Sequence, residues 1–174
     1  PEDYKEFGQK CGIPIKTASY SSEDGTFNSD NEYLTIINTA RVKRMDLMEY
    51  YDSRKNILDI ERGTLFLLAE ELNRFKKEKG LKDFTDLLED FIEKSLPGSF
   101  EVLFIDEAQD LSLLQWEMVR HLWKYAKKTY IAGDDDQAIF KWAGADVDHF
   151  IALKEEVNDI KVLDQSYRIP GGPI

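Results

Sequence analysis

The residues best placed for chemistry lie where short apolar runs stop. Val102, Leu103, Phe104 and Ile105 end in Asp106, Glu107, Ala108, Gln109 and Asp110. A second run, Thr129 to Ala132, ends in Gly133, Asp134, Asp135, Asp136 and Gln137, and a third, Ile160 to Leu163, ends in Asp164, Gln165, Ser166, Tyr167 and Arg168. A short continuous apolar run is the pattern of a strand buried on both faces of a parallel sheet, and ligands of such sheets sit beyond the carboxyl ends of the strands. Adjacent acids at that point suit hydrolysis of a nucleoside triphosphate, which needs one carboxylate for Mg²⁺ and its waters and another group to orient the attacking water.

The three blocks together resemble UvrD/Rep-type superfamily-one DNA helicases. The residues that carry the resemblance are Asp106-Glu107-Ala108-Gln109-Asp110, then Gly133-Asp134-Asp135-Asp136-Gln137-Ala138-Ile139-Phe140-Lys141-Trp142, then Gln165-Ser166-Tyr167-Arg168. They cover roughly residues 100 to 170, with a weaker echo in Lys82-Asp83-Phe84-Thr85-Asp86-Leu87-Leu88. The resemblance implies that Asp106 holds Mg²⁺, that Glu107 is the base that activates water, and that Gln137 senses the γ-phosphate of ATP. It implies that Arg168 neutralises charge on the same phosphate, a role suited to a guanidinium fork. Phe140 and Trp142 would meet single-stranded DNA, where aromatic faces stack on any base. Gln137 and Trp142 are five positions apart, so one loop could touch nucleotide and DNA together. At Ala143 the chain departs from the family, which often has arginine after the tryptophan.

No Gly-x-x-x-x-Gly-Lys-Ser/Thr phosphate loop occurs in the sequence. The nearest segment, Gly12 to Thr17, has Ile15 before its lysine, Pro14 where a backbone donor is needed, and no buried strand ahead of it. The chain starts at Pro1 and stops at Gly171-Gly172-Pro173-Ile174, and is therefore expected to be a fragment of a longer protein with its phosphate loop upstream. The remaining motor domains would belong to the same polypeptide, and the isolated chain is expected not to work as a motor. Two alternatives stay open: a non-catalytic nucleic-acid- or protein-binding module that keeps the fold, and part of a helicase fused to a nuclease.

The elements that must position these residues are legible in outline. The expected fold is α/β, a parallel-sheet, RecA-like part of a motor domain (81–174) with a mainly helical insertion or subdomain (1–80). Residues 17 to 32 read as loop, Leu34 to Tyr51 begins a helical stretch, and Thr64 to Lys79 is a clearer helix stopped by Gly80. Asp83 caps the next helix, which Pro97 and Gly98 end. Ser112 and Gln115 form a capping box for a helix through Tyr125, with Leu114, Met118, Leu122 and Tyr125 on one stripe and Trp116 and Trp123 as core candidates. Another helix is expected near Val147 to Val157, ahead of the third strand.

Composition narrows the function classes. With 174 residues, 42% of them hydrophobic, the chain can bury one good core. Its one cysteine, Cys11, excludes an internal disulfide and suits a reducing cytoplasm, and no apolar run approaches a membrane span. The net charge of −11 predicts weak DNA binding by this piece alone. Residues 1–100 carry 15 basic against 20 acidic groups, and residues 101–174 carry 8 against 14. The local basic clusters Arg41, Lys43, Arg44 and Lys124, Lys127, Lys128 read as solvated faces. His121 and His149 lack the spacing and partners of a zinc site, and the consecutive acids Asp134 to Asp136 lack the alternate spacing of a calcium loop.

Overall fold

A computed structural model of the chain describes residues 2–21, 26–138 and 144–163. The first helix, α1 (Glu2–Cys11), leads into a small antiparallel pair, β1 (Ala18–Tyr20) and β2 (Phe27–Ser29). Three helices follow, α2 (Glu32–Val42), α3 (Leu47–Arg54) and α4 (Arg62–Lys79), and then α5 (Phe84–Lys94). The chain continues through β3 (Phe100–Ile105), α6 (Leu113–Trp123), β4 (Ala126–Ile131) and α7 (Val147–Ala152).

Side chains from α1 to α4 and the small hairpin close one hydrophobic core, with Phe7, Leu34, Leu65, Leu72 and Phe75 at its centre. Helix α4 presents Leu65, Leu68, Leu72 and Phe75 inward at helical spacing. It stops at Gly80, whose left-handed φ of 64° lets the turn close and its N–H reach the carbonyls of Lys76 and Lys77. Residues 17 to 32, expected as loop, instead contain β1 and β2, with Ala18 opposite Ser29 and Tyr20 opposite Phe27. Phe27 packs its ring against Tyr4 and Tyr20 at 5.5 and 5.0 Å. Strands of three residues are too short to leave a period in a segment otherwise rich in Ser, Asn and Asp.

An ion network ties α5 to this core. Arg41 on α2 reaches Asp83 at 3.0 Å, Glu89 at 2.7 Å and also Asp86, while Lys76 on α4 holds Asp83 and Asp86, each at 2.8 Å. Asp83 and Asp86 also form the capping box that starts α5. Burial of Asp83 favours its neutral form, but Arg41 and Lys76 outweigh burial and hold the carboxyl below its ordinary value. Arg41 was expected on a solvated basic face, yet three carboxylates enclose it. Arg44 likewise pairs with Glu89 and with Glu117 of α6. The Thr85 and Tyr20 hydroxyls both donate to the side-chain amide oxygen Oδ1 of Asn38, at 2.9 and 3.0 Å.

The second layer is a strand-helix-strand unit. β3 and β4 pair in parallel, with Phe100 opposite Ala126 and Ile105 opposite Ile131. Helix α6 opens on the expected capping box, Ser112 with Gln115. Its buried residues are Leu114, Trp116 and Val119, rather than the stripe through Met118, Leu122 and Tyr125, and the helix ends at Trp123. Trp116, Val119, Ala108 and Leu153 form the core here, with Ile105, Ile131 and Phe150 packed against it. Helix α7 ends at Ala152, short of Val157, and passes into a 3-10 turn at Leu153–Glu155.

Two strand expectations are corrected. β3 is covered on one face only: Leu103 and Ile105 are half-buried, whereas Val102, Phe104 (73% exposed) and Tyr130 (55% exposed) face outward. The Phe104 and Tyr130 rings stack at 5.3 Å on that open face. Residues Ile160 to Leu163 form no strand, and Ile160, Val162 and Leu163 are exposed. An apolar run becomes a strand only where an edge accepts its hydrogen bonds, and the described β-pairing is limited to β1 with β2, β3 with β4 and an isolated bridge between Ser112 and Ala145. No described helix is long and apolar enough to cross a membrane.

Candidate nucleotide site

The parallel register brings the carboxyl ends of β3 and β4 side by side, which is where both acidic runs emerge. Backbone hydrogen bonds continue past the strands, from Ala132 N–H to the Ile105 carbonyl (2.8 Å) and from Ala108 N–H to the Ala132 carbonyl (3.0 Å). The two acidic segments are therefore one structural unit. Asp106 and Glu107 are exposed at this edge.

Glu107 takes a left-handed backbone conformation, φ 50° and ψ 40°. This region is sparsely populated by residues with a Cβ and recurs at functional sites. Its N–H donates to the Asp106 carboxylate at 3.0 Å. After this turn the chain forms a 3-10 turn, Ala108–Asp110, with Ala108 and Gln109 buried.

Gln109, to which sequence reasoning gave no role, joins the two segments. Its amide N–H donates to the Glu107 carboxylate at 2.8 Å and to Asp110 at 3.3 Å, while its carbonyl oxygen accepts from the Asp134 N–H at 2.9 Å. The side chain is 1% exposed. Gly133 makes room for it, because a Cβ at that position would lie 2.7 Å from the Gln109 amide oxygen and 2.7 Å from the Phe150 ring. A glutamine inside an acidic run is the only sequence signal of this arrangement.

Beyond Gly133, the Asp134 carboxylate accepts from the Asp136 N–H at 3.1 Å and from the Gln137 side-chain amide. It staples the 3-10 turn Asp135–Gln137, on which Gln137 is exposed. The structure thus brings Asp106, Glu107 and the Gln137 loop to one edge. Phe140, Trp142 and Arg168 lie outside the described residues. Among the described residues no group of three or more His, Cys, Asp or Glu side chains is arranged to hold a metal ion. Mg²⁺ is commonly held by one or two carboxylates with water and substrate phosphates, and Asp106 with Glu107 is a donor set of that size and hardness.

This pairing of strand-end carboxylates with an adjoining glutamine loop accompanies a family match. The UvrD/REP helicase N-terminal domain family matches residues 13–158, most of the chain. The chain belongs to that family. Among UvrD/REP-related proteins, the ATP-dependent DNA helicase Rep of Escherichia coli (strain K12) is 33% identical over 82 residues, covering 46% of this chain and 12% of Rep. The RecBCD enzyme subunit RecB of Buchnera aphidicola from Acyrthosiphon pisum is 32% identical over 114 residues, 59% of this chain and 9% of RecB. A probable DNA helicase II homolog of Mycoplasma genitalium is 27% identical over 150 residues, 84% of this chain and 19% of that protein. The chain therefore spans about a tenth to a fifth of the length of these relatives.

Proposed function

We propose that this chain is part of an ATP-dependent DNA helicase or translocase that couples ATP hydrolysis to movement on single-stranded DNA. Residues 81–174 are assigned to a RecA-like ATP-binding domain and residues 1–80 to a mainly helical insertion, with α5 bridging them through its ion pairs to α2 and α4. The observation that carries the reading is the exposed Asp106–Glu107 pair at a parallel strand end, linked through the Gln109 side chain to the loop that bears Gln137.

In this reading Glu107 accepts a proton from the water that attacks the γ-phosphate of ATP. Its left-handed backbone turns it away from the line of β3, and Gln109 holds one carboxylate oxygen so that the other is free to face the water. Asp106 would hold Mg²⁺, which when bound supplies charge neutralisation for the phosphates. Gln137 senses the γ-phosphate, and Arg168 offsets charge that develops on it. Phe140 and Trp142, three and five positions after Gln137, stack on DNA bases. The open β3–β4 face, with Phe104 and Tyr130, supports contact with the rest of the motor domain in the same polypeptide.

The test is ATP turnover with Mg²⁺ by the longer polypeptide that carries this segment. Glu107→Gln combined with Arg168→Ala should abolish hydrolysis while leaving nucleotide binding and the unfolding temperature near the parent values. Parental turnover in the double variant would end the site assignment.

A further inference from the structure

The buried Gln109 amide bonds to both acidic loops, and its two ends are used differently. The N–H end holds the Glu107 carboxylate at 2.8 Å, and the carbonyl end accepts the Asp134 N–H at 2.9 Å. Among side chains of this length, only an amide offers donor and acceptor at one tip. A glutamate there would repel Glu107, and a leucine would leave the Asp134 N–H without its side-chain acceptor. The site is also built to receive the amide, since Gly133 lacks the Cβ that would collide with it.

Glu107 is exposed, and without this bond its three side-chain torsions would be set by solvent. The bond instead makes the direction of the carboxylate depend on where residues 133 and 134 lie. Those residues begin the loop that carries Gln137, and Phe140 and Trp142 follow it in the sequence. A displacement of that loop would therefore draw on Gln109 and re-aim Glu107.

We propose that Gln109 is a positioning residue that makes water activation by Glu107 depend on the conformation of the Gly133–Gln137 loop, and so transmits DNA binding to ATP hydrolysis. This rests on the assignment of Glu107 as the base. Misplacing a catalytic group by about 1 Å can cost about 100-fold in rate, so the effect belongs in kcat and not in nucleotide affinity.

The experiment uses the longer polypeptide with Gln109→Leu, Gln109→Glu, Glu107→Gln and the Glu107→Gln, Gln109→Leu double variant. Steady-state ATP turnover with and without single-stranded DNA is read beside the Kd for a fluorescent ATP analogue. Both Gln109 variants should lose about 10-fold or more in DNA-stimulated kcat, keep nucleotide Kd within about twofold of the parent, and show a stimulation ratio close to one. The double variant should be no slower than Glu107→Gln alone, because residues acting as a unit are not additive. Parental kcat and stimulation in either folded Gln109 variant would overturn the proposal, as would a further loss in the double variant. Gln109→Glu preserves side-chain volume, so it remains informative if Gln109→Leu fails to fold. If Glu107→Gln itself turns over normally, the base assignment fails, an outcome separate from loss of the Gln109 link.

Discussion

Arg41 gives the sharpest test of how the helical unit is held together. Its guanidinium touches Asp83, Asp86 and Glu89, and the Asp83 side chain is only 6% exposed. Removing one partner of a buried pair typically costs about 3–5 kcal/mol, because the remaining charge stays buried without compensation. Lys76 still holds Asp83 and Asp86 at 2.8 Å, and Arg44 lies 3.4 Å from Glu89, so the carboxylates are not fully abandoned. The cost of Arg41→Met should therefore fall at the lower end, about 3 kcal/mol. With a urea dependence of about 2 kcal/mol per molar, the unfolding midpoint of the 174-residue chain, followed by far-ultraviolet circular dichroism, should drop by about 1.5 M. Arg62→Met, which breaks an exposed pair with Asp52, should leave the midpoint nearly unchanged. An Arg41→Met shift as small as that of Arg62→Met would refute the claim that the network works as a buried unit.

Three further outcomes follow from the same structure. Because Asp83 titrates below its ordinary value when folded, its contribution is complete above about pH 4 and is lost as pH falls through the folded pKa; Asp83→Asn should flatten the acid limb of a stability profile measured by urea titration. Trp116→Ala, at a side chain 1% exposed in the second core, should cost about 3–5 kcal/mol in the same assay. Gly133→Ala forces a Cβ to within 2.7 Å of Gln109 and Phe150, so it should cost about 1–3 kcal/mol and lower ATP turnover of the longer polypeptide.

What could be read from the residues was what local chemistry dictates. Gly80 as a helix stop, Asp83 as a cap and Ser112 with Gln115 as a capping box depend on groups within a few positions, and all three are formed. The parallel pairing of β3 and β4 followed from two apolar runs separated by a helical stretch. The failures are non-local. Arg41 looked like a surface cation because its carboxylates lie 42 to 48 positions away. Gln109 was invisible as a link because its acceptor role depends on Asp134, 25 positions on. The buried face of α6 turned toward Trp116 and Val119 because α7 and its following turn supply Phe150 and Leu153 to pack there. Ile160 to Leu163 carried a strand's composition, but composition does not provide an edge to pair with. Of the site, the Asp106–Glu107 pair and the Gln137 loop were legible as motifs, whereas their hydrogen-bonded union through Gln109 and Gly133 was not.

The most direct test of the central claim is Mg²⁺-dependent ATP hydrolysis by the longer polypeptide, with and without single-stranded DNA, in the parent and in Glu107→Gln. DNA-stimulated turnover is expected in the parent, with its loss in Glu107→Gln and nucleotide binding retained. Absence of turnover in the parent, or undiminished turnover in Glu107→Gln, would contradict it.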